Sequence, residues 1–236
     1  MAEMTKQTAR AIVPATVSEQ LVMTVAPDSA EAEAYRTLRT FLRFDPRLGI
    51  GEGAGRAVLL ADGGDVPDRA ATVANLAVAF ALAGERVIAV DADLRGDVGA
   101  SSLSGLFGQT AATSGLASVL RVPEPGRKIV LPLRETSVTN LLVLPVGPQI
   151  ANPADLLGAD TFAVLVAALR AQADIVLFDA PSVGKYADAR AIAARVDATL
   201  LLVAQGVTRR PTAQAALAAL HQVGAEVLGV VLTGAR

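Results

Sequence analysis

Short apolar runs alternate with helical patterns along most of this chain, and this alternation constrains the fold more than any other feature. The apolar runs predict buried strands at 57–61, 87–90, 141–144, 175–178, 199–203 and 227–232. The intervening patterns predict helices at 69–82, 153–171, 186–196 and 211–223. Strands that alternate with helices form βαβ units, whose right-handed crossovers place helices on both faces of the sheet. We therefore expect an α/β fold: a doubly wound, mainly parallel sheet in a three-layer sandwich.

Composition and charge are those of one large domain. The chain has 236 residues, of which 52% are apolar and 19% charged, which fits a sheet buried on both faces and excludes a disordered chain. Residues 1–27 lack a sustained period and are predicted to be a tail or an edge-docked arm, followed by one domain at 28–236. The net charge of −2 exerts no long-range attraction on nucleic acid, and we expect no nucleic-acid partner.

Several site chemistries and locations are disfavoured by what the sequence lacks. There is no cysteine, which excludes disulfides and thiolate metal sites. Residues 1–20 contain no apolar segment typical of a signal peptide. No uninterrupted apolar run reaches the roughly 18 residues of a membrane helix. We expect a cytoplasmic protein.

Carboxylates follow two of the predicted strands. Asp91 and Asp93 come after the run at 87–90, and Asp179 comes directly after the run at 175–178. The carboxyl ends of parallel strands carry the functional residues of such sheets. Four apolar residues followed by Asp is the form of a Walker B strand, whose carboxylate holds Mg²⁺. The three aspartates together favour a cation site, although a single strand-end Asp can also cap the next helix or bind a loop amide.

The loop after the first predicted strand departs from a phosphate loop. Such a loop requires Gly, four free positions, then Gly, Lys and Ser or Thr. The chain has Gly63 and Gly64, but Asp68, Arg69 and Ala70 stand at the last three required positions. Asp68 adds negative charge beside the phosphates, Arg69 has a larger planar group than Lys, and Ala70 has no hydroxyl for Mg²⁺. Hydrolysis or transfer by this loop is therefore not expected, and Asp68 is explained equally well as the N-cap of the helix beginning at Arg69.

A helix is predicted to follow Pro27 and to end near Asp45-Pro46, with Asp28 and Ser29 as N-cap candidates. Glu33, Arg36 and Arg39 recur at intervals of three, which places them near one another on an exposed ionic stripe of this helix. Such a stripe is either a solvated face or a contact surface.

In this order, the segments resemble the bacterial tyrosine kinases (BY-kinases) and the cytoplasmic ATPase partners of polysaccharide chain-length regulators. The resemblance extends from about residue 21 to residue 233 and rests on the segments 29–40, 90–95, 144–148, 152–157, 178–181, 206–209 and 229–232. It implies a P-loop NTPase-like fold with ATP and Mg²⁺ as cofactors. It also implies tyrosine autophosphorylation between the subunits of a ring, and control of capsule or exopolysaccharide export beside a membrane partner.

The resemblance also implies roles for individual residues. Asp91 and Asp93 match the carboxylates that serve the metal and the acceptor hydroxyl, and Asp179 matches the Walker B residue that completes the Mg²⁺ site. The positions that contact the nucleotide correspond to the degenerate loop, at Gly63, Gly64, Arg69 and Ala70. The family motif Glu-x-x-Arg-x-x-Arg, which serves subunit contacts, is matched by Glu33, Arg36 and Arg39.

Three functions are compatible with these features. The leading hypothesis is a catalytically impaired relative that acts as a regulatory or assembly subunit in exopolysaccharide or capsule production. Its partners would be copies of itself or an active paralogue, and the cytoplasmic end of a membrane chain-length regulator, which would bring it to the inner face of the plasma membrane. The alternatives are an active kinase or ATPase with an atypical loop, and a positioning or partitioning ATPase. The chain has only two tyrosines, Tyr35 and Tyr186, both inside the predicted domain rather than in a tyrosine-rich tail.

Overall fold

Every predicted strand is present in the computed structural model, which describes residues 18–51, 53–96, 99–109, 113–121 and 129–234. The strands are β1 (Arg56–Asp62), β2 (Val87–Asp91), β3 (Arg134–Glu135), β4 (Leu141–Leu144), β5 (Ile175–Ala180), β6 (Ala198–Ala204) and β7 (Val227–Thr233). The helices are α1 (Val22–Val25), α2 (Ala30–Phe44), α3 (Arg69–Leu82), α4 (Leu103–Leu106), α5 (Leu116–Leu120), α6 (Pro153–Gly158), α7 (Asp160–Arg170), α8 (Asp188–Ala193) and α9 (Arg210–Gln222). Among the described elements, the two-residue strand β3 and the short helices α1, α4 and α5 were not predicted.

The seven strands form one sheet in the order β3-β4-β2-β5-β1-β6-β7. All neighbouring strands run parallel except β3, which is antiparallel to β4. The chain moves outward from β1 in one direction to β2 and β4, and later in the other direction to β6 and β7. The doubly wound, mainly parallel sheet is therefore confirmed, and its topology brings the ends of β2, β5 and β1 side by side.

Helices cover both faces of this sheet, so the three-layer prediction is also confirmed. Successive residues of a strand point to opposite faces, and Leu60 accordingly packs in the layer with α1 to α4, whereas Leu59 packs in the layer with α5 to α9. Both leucines are fully buried. Phe162 and Phe178 pack edge to face, with their ring centroids 6.0 Å apart.

Of the two helix starts with predicted N-caps, α2 has its cap and α3 does not. The Ser29 side chain accepts a hydrogen bond from the Ala32 amide at 3.1 Å, so Ser29 and not Asp28 is the N-cap of α2. Helix α3 begins at Arg69 as predicted, but the Asp68 side chain accepts no capping hydrogen bond. The ψ angle of Asp68 is 29°, outside the extended conformation that points an N-cap side chain at the first turn.

Two predicted helices are shorter than expected. The pattern at 153–171 forms two helices, α6 and α7, because Ala159 between them is extended, with ψ 160°. The pattern at 186–196 contributes only α8. Periodicity alone did not reveal these breaks, since the apolar spacing continues through both of them.

The segment before α2 packs against the domain. Leu21 and Met23 are buried in the core layer that contains α3. The Met23 amide donates to Asn75 Oδ1 at 3.1 Å, and Asn75 Nδ2 donates to the Gln20 carbonyl at 2.7 Å. Residues 1–17, which make up most of the predicted tail, lie outside the described residues. No described helix combines the length and the hydrophobicity needed to cross a membrane.

Candidate functional site

The carboxyl ends of three adjacent strands bring acidic side chains together. Asp91 ends β2 and lies opposite Asp179 of β5 in the parallel register, and Asp62 ends the neighbouring strand β1. All three are buried, whereas Asp93, two residues beyond β2, is half-buried. The sheet order, with β5 between β1 and β2, creates this proximity.

Arg69, the first residue of α3, binds three of these carboxylates at once. Its Nε lies 2.5 Å from Asp179 Oδ1, its Nη2 lies 2.6 Å from Asp93 Oδ2, and its Nη1 lies 3.3 Å from Asp62 Oδ2. The Arg69 side chain is 15% exposed. Each guanidinium nitrogen thus serves a different strand end, which only the planar five-donor fork of arginine can do.

The carboxylates that receive Arg69 are also positioned by their own loops. The second oxygen of Asp93 accepts from the Gly96 amide at 2.9 Å. Asp62 Oδ1 accepts from the Gly64 amide at 3.0 Å. These two side chains are therefore held in place by backbone donors as well as by the guanidinium.

Asp91 is oriented differently from the other three. Its Oδ2 accepts from the hydroxyl and the amide of Ser104, at 2.6 and 3.0 Å. Ser104, which belongs to α4, is fully buried. The Asp91 side chain thus fastens α4 to the end of β2, and Arg69 acts on it only through space.

Burial and charge oppose each other in this cluster. Burial raises the pKa of Asp91, and the hydrogen bonds from Ser104 only partly offset this. Burial also raises the pKa of Asp179, against the opposing charge of Arg69. For Arg69, burial acts to lower the pKa, but the charges of Asp179 and Asp93 outweigh it and the pKa lies above its ordinary value. The guanidinium is thus charged at every physiological pH, while the cluster contains more acidic groups than it can neutralise.

The loop from β1 to α3 differs from a phosphate cradle in two engaged amides, a proline and an added carboxylate. The Gly63 amide donates to the Leu202 carbonyl at 2.8 Å, and the Gly64 amide is taken by Asp62. Pro67 has no amide hydrogen to donate. Asp65 adds a further carboxylate, which forms a short contact with the Lys185 ammonium. The residues around this loop therefore do not fit a phosphate chain.

Two clefts adjoin this loop, and Arg69 and Asp93 line both of them. One has a volume of about 420 Å³ and is bounded on its far side by Lys185 and Tyr186. The other, of about 220 Å³, is bounded by Asp91, Asp179 and the serines at 101 and 102. Both clefts are large enough for a small polar molecule, but the walls they share carry charges of both signs.

The cluster does not fit Mg²⁺ either. Within the described ranges of the chain, no three or more His, Cys, Asp or Glu side chains are arranged to hold a metal ion. In addition, the Arg69 guanidinium lies among Asp62, Asp93 and Asp179, while Asp91 is bound to Ser104. Ala70, at the position of the Ser or Thr ligand, offers no oxygen.

A second arginine closes one side of the site. Arg95 binds the fully buried carboxylate of Asp188 through two parallel hydrogen bonds, of 2.8 and 2.9 Å. Its guanidinium also lies over the Tyr186 ring, 4.5 Å from the centroid. Since Asp188 belongs to α8, this contact fastens the segment after β5 to the segment after β2.

The predicted contact residues lie on α2, which belongs to the same helical layer as α3. Glu33 is exposed and pairs with Arg36 at 3.0 Å. Arg36 also donates to the Pro27 carbonyl at 2.6 Å, and Arg39 donates to the Ala79 carbonyl at 3.4 Å. Of the predicted exposed stripe, Glu33 is exposed, whereas both arginines are half-buried against their own chain.

Sequence reasoning missed three residues that organise this site. Asp62 follows an apolar run in the same manner as Asp91 and Asp179, so the pattern that singled those out was available for it too. Thr208 accepts from the Ala204 amide and donates to the Gly64 carbonyl, which fixes the loop to the end of β6. No local sequence pattern predicts the roles of Thr208 and Ser104, since each binds a residue distant in sequence.

Known proteins with similar sequences are tyrosine kinases of bacteria. The chain is 29% identical over 221 residues to the tyrosine-protein kinase YwqD of Bacillus subtilis, a match that covers 92% of this chain and 87% of the relative. It is 32% identical over 161 residues to the tyrosine-protein kinase CpsD of Streptococcus pneumoniae serotype 4, covering 68% of each. No family model matches the chain.

Solved structures agree with this relationship. The chimerical protein CapA2B2 superposes with a TM-score of 0.77 at 25% identity, covering 91% of this chain and 89% of that one. The cell division ATPase MinD of Pyrococcus furiosus has a TM-score of 0.61 at 26% identity, covering 75% of this chain and 71% of that one. The sheet order and the acidic strand ends define a protein with the P-loop NTPase-like fold. Within that class, the chain belongs to the family of bacterial tyrosine-protein kinases.

Proposed function

We propose that this chain is a catalytically impaired member of the bacterial tyrosine kinase family. It acts as a regulatory or assembly subunit in the production and export of exopolysaccharide or capsule, without using ATP. The observation that carries this proposal is the Arg69 guanidinium, which binds Asp62, Asp93 and Asp179 where a working member needs Mg²⁺ and phosphate.

The chemistry of the loop supports the same proposal. Pro67 removes a backbone donor, and Asp65 and Asp68 add negative charge where phosphates require donors and cations. Arg69 is engaged by carboxylates on all its nitrogens, so it is not available to neutralise a phosphate. To bind here, ATP would have to displace Arg69 from its buried carboxylate partners. The contacts that ATP makes with this loop do not offset the free energy of that displacement.

The surface of α2 supports a role in assembly. Glu33 is exposed, and Arg36 presents part of its side chain beside it. The proposed partners are further copies of this chain, an active paralogue, and the cytoplasmic end of a membrane chain-length regulator. Binding to such a regulator would bring the protein to the inner face of the plasma membrane.

Calorimetric titration with ATP, with and without Mg²⁺, tests the proposal directly. We expect no heat of binding and no change in melting temperature at millimolar ATP for the wild type. The Asp179→Ala variant, titrated in parallel, should behave in the same way toward ATP. Magnesium-dependent binding that disappears in Asp179→Ala would contradict the proposal, because it would reveal a working nucleotide site.

Restoration of the loop provides the matched positive arm. The triple change Asp68→Gly, Arg69→Lys and Ala70→Ser reinstates the phosphate-loop residues at their positions. If the loop alone accounts for the impairment, this variant binds ATP with Mg²⁺ whereas the wild type does not. If the restored protein is folded and still binds nothing, the impairment extends to other parts of the site.

Assembly is tested separately from nucleotide binding. Arg36→Glu reverses the charge beside Glu33, and it should reduce the oligomer mass measured by light scattering and weaken co-purification with the cytoplasmic segment of the regulator. Arg210→Glu is the control, since Arg210 is exposed at the start of α9 on the other face of the sheet. Equal behaviour of the two variants would argue against α2 as the contact surface.

ATP turnover with an atypical loop is the second candidate function. It is favoured by the cleft of about 220 Å³ that Asp91, Asp93 and Asp179 line, and by the retention of positive charge at Arg69. Under this alternative, purified wild-type protein hydrolyses ATP and Asp91→Asn abolishes the turnover. A turnover that is equal in both proteins belongs to a contaminant.

A further inference from the structure

The Mg²⁺ implied by the family does not fit this chain, and the structure identifies what has taken its place. Three carboxylates from the ends of β1, β2 and β5 converge on one guanidinium, each on a different nitrogen. An ordinary surface ion pair joins one cationic group to one carboxylate. Here one cationic group is shared among three strand ends.

The geometry explains how an arginine can serve in this position. Hard divalent cations are held by several oxygen ligands, mostly carboxylates, that are supplied by different segments. The Arg69 fork likewise donates hydrogen bonds to oxygens in several directions within one plane, and its aliphatic stem is anchored at the first turn of α3. Because Asp62 and Asp93 are oriented by backbone amides of Gly64 and Gly96, their oxygens remain directed at this point independently of the guanidinium.

We propose that Arg69 is the resident counterion of this site and replaces a divalent cation permanently. The strand ends are thereby held together without metal or nucleotide, and the guanidinium keeps Asp62, Asp93 and Asp179 closed to other cations. This inference deepens the proposed function and rests on it, since it supplies the means by which an impaired subunit retains the closed arrangement. Removal of the guanidinium leaves the three carboxylates free to rearrange around a divalent cation.

The experiment uses the full chain and Mg²⁺ alone, without nucleotide. Melting temperatures of the wild type and of Arg69→Ala are compared in millimolar MgCl₂ and in NaCl of matched ionic strength. Without Mg²⁺, Arg69→Ala should melt about 10 °C below the wild type, because it leaves buried carboxylates unpaired. Magnesium should restore part of that loss in the variant and leave the wild type unchanged.

Direct binding is measured with Mn²⁺ by electron paramagnetic resonance, since bound Mn²⁺ loses the signal of the free ion. Arg69→Ala should bind Mn²⁺, and the wild type should not. Adding Asp179→Asn to Arg69→Ala should abolish both the binding and the thermal rescue. Arg86→Ala is the matched control, because Arg86 pairs with Asp174 at the far end of the strands, and it should show neither effect.

Two outcomes overturn the inference. One is stabilisation of the wild type by Mg²⁺ to the same degree as Arg69→Ala, and the other is a folded Arg69→Ala that neither gains stability from Mg²⁺ nor binds Mn²⁺. If Arg69→Ala does not fold, Arg69→Met preserves the aliphatic stem and takes its place in both measurements. If neither variant folds, the wild type decides: Mn²⁺ that is bound there and lost on Asp179→Asn overturns the inference, whereas no bound Mn²⁺ supports the closed site.

The outcome is separable from that of the proposed function. If calorimetry shows that ATP binds without metal, the proposed function is contradicted, but the inference that Arg69 is the counterion still holds. Binding of Mg²⁺ to the wild type without any affinity for ATP would contradict the inference and leave the proposed function standing.

Discussion

The Arg69 guanidinium lies against the Asp179 carboxylate, with Nε 2.5 Å from Oδ1, and this pair joins the start of α3 to the end of β5. Asp179 is 1% exposed, so the pair lies where water screens charge weakly. In the proposed function, this contact takes the place of a bound cation. Four consequences of this site can be tested by stability measurements.

Lysine should not substitute for arginine at position 69. Arg69→Lys retains the charge but offers one ammonium in place of a planar fork, and it cannot reach three separated carboxylates. We expect a loss of about 2 kcal/mol in the free energy of unfolding, measured by urea denaturation. Arg86→Lys, at an exposed pair, should cause a much smaller loss. Equal losses would mean that the shared fork is not important.

Asp91→Asn should stabilise the protein at neutral pH. Burial raises the pKa of Asp91 above its unfolded value, so its contribution to stability is complete below about pH 4 and is lost as the pH rises through that raised pKa. Asparagine does not ionise, and its Oδ1 can still accept from Ser104. We expect a gain of about 1 kcal/mol at pH 7 and a smaller fall in stability between pH 4 and pH 7 than in the wild type.

Urea denaturation at several pH values measures this difference. Asp28→Asn is the control, since Asp28 is exposed before α2, and its stability profile should follow that of the wild type. An Asp91→Asn variant that is less stable than the wild type at pH 7 would mean that the charge of Asp91 is required by the cluster.

The pair of Arg95 and Asp188 should show strong coupling. Arg95→Met leaves the fully buried Asp188 carboxylate without its two hydrogen bonds, and we expect a loss of about 3 kcal/mol. The double variant with Asp188→Asn removes the stranded charge and should be more stable than Arg95→Met alone. A double-mutant cycle of the unfolding free energies measures the coupling. If the losses of the two single variants add up to the loss of the double variant, the two residues are not coupled.

Gly64→Ala should weaken the loop through two separate effects. Gly64 has φ 138°, which an alanine adopts only with strain, and an added Cβ would lie 2.7 Å from Thr212 Cγ2. We expect a loss of about 2 kcal/mol in unfolding free energy. Adding Thr212→Ser removes the methyl group and should recover the steric part only.

Gly158→Ala is the control for this prediction. An added Cβ at Gly158 meets no atom within 4 Å, so its stability should stay within about 1 kcal/mol of the wild type. Full recovery in the double variant would mean that the backbone angle of Gly64 carries no strain, and no recovery would mean that the contact with Thr212 is not the steric cause.

Local patterns were sufficient for most of the secondary structure. The six apolar runs became strands and α3 began at Arg69, because burial of short apolar segments and helix initiation depend on neighbouring residues. The errors occurred where distant contacts decide conformation. The continuous helix at 153–171 is broken at Ala159, and Arg36 and Arg39 of the exposed stripe bind carbonyls of their own chain.

Within the candidate site, the acidic strand ends were predictable and the partners of those residues were not. Asp91 binds a serine 13 positions later, Arg95 binds an aspartate 93 positions later, and Arg69 binds Asp179 110 positions later. Nothing in local spacing encodes such pairs, since they depend on which strands become neighbours. The roles predicted for Asp91, Asp93 and Asp179 toward ATP and Mg²⁺ remain predictions.

The amino-acid sequence by itself determined the fold class, the positions of the strands and the departure of the loop from a phosphate-binding sequence, since each depends on hydrophobic pattern and residue chemistry along a short segment. Only the tertiary structure decided what Arg69 does. Insertion of β5 between β1 and β2 brings three carboxylates to one point, and the electrostatic cost of burying them is met by the nearest cation, which is the guanidinium at the start of α3.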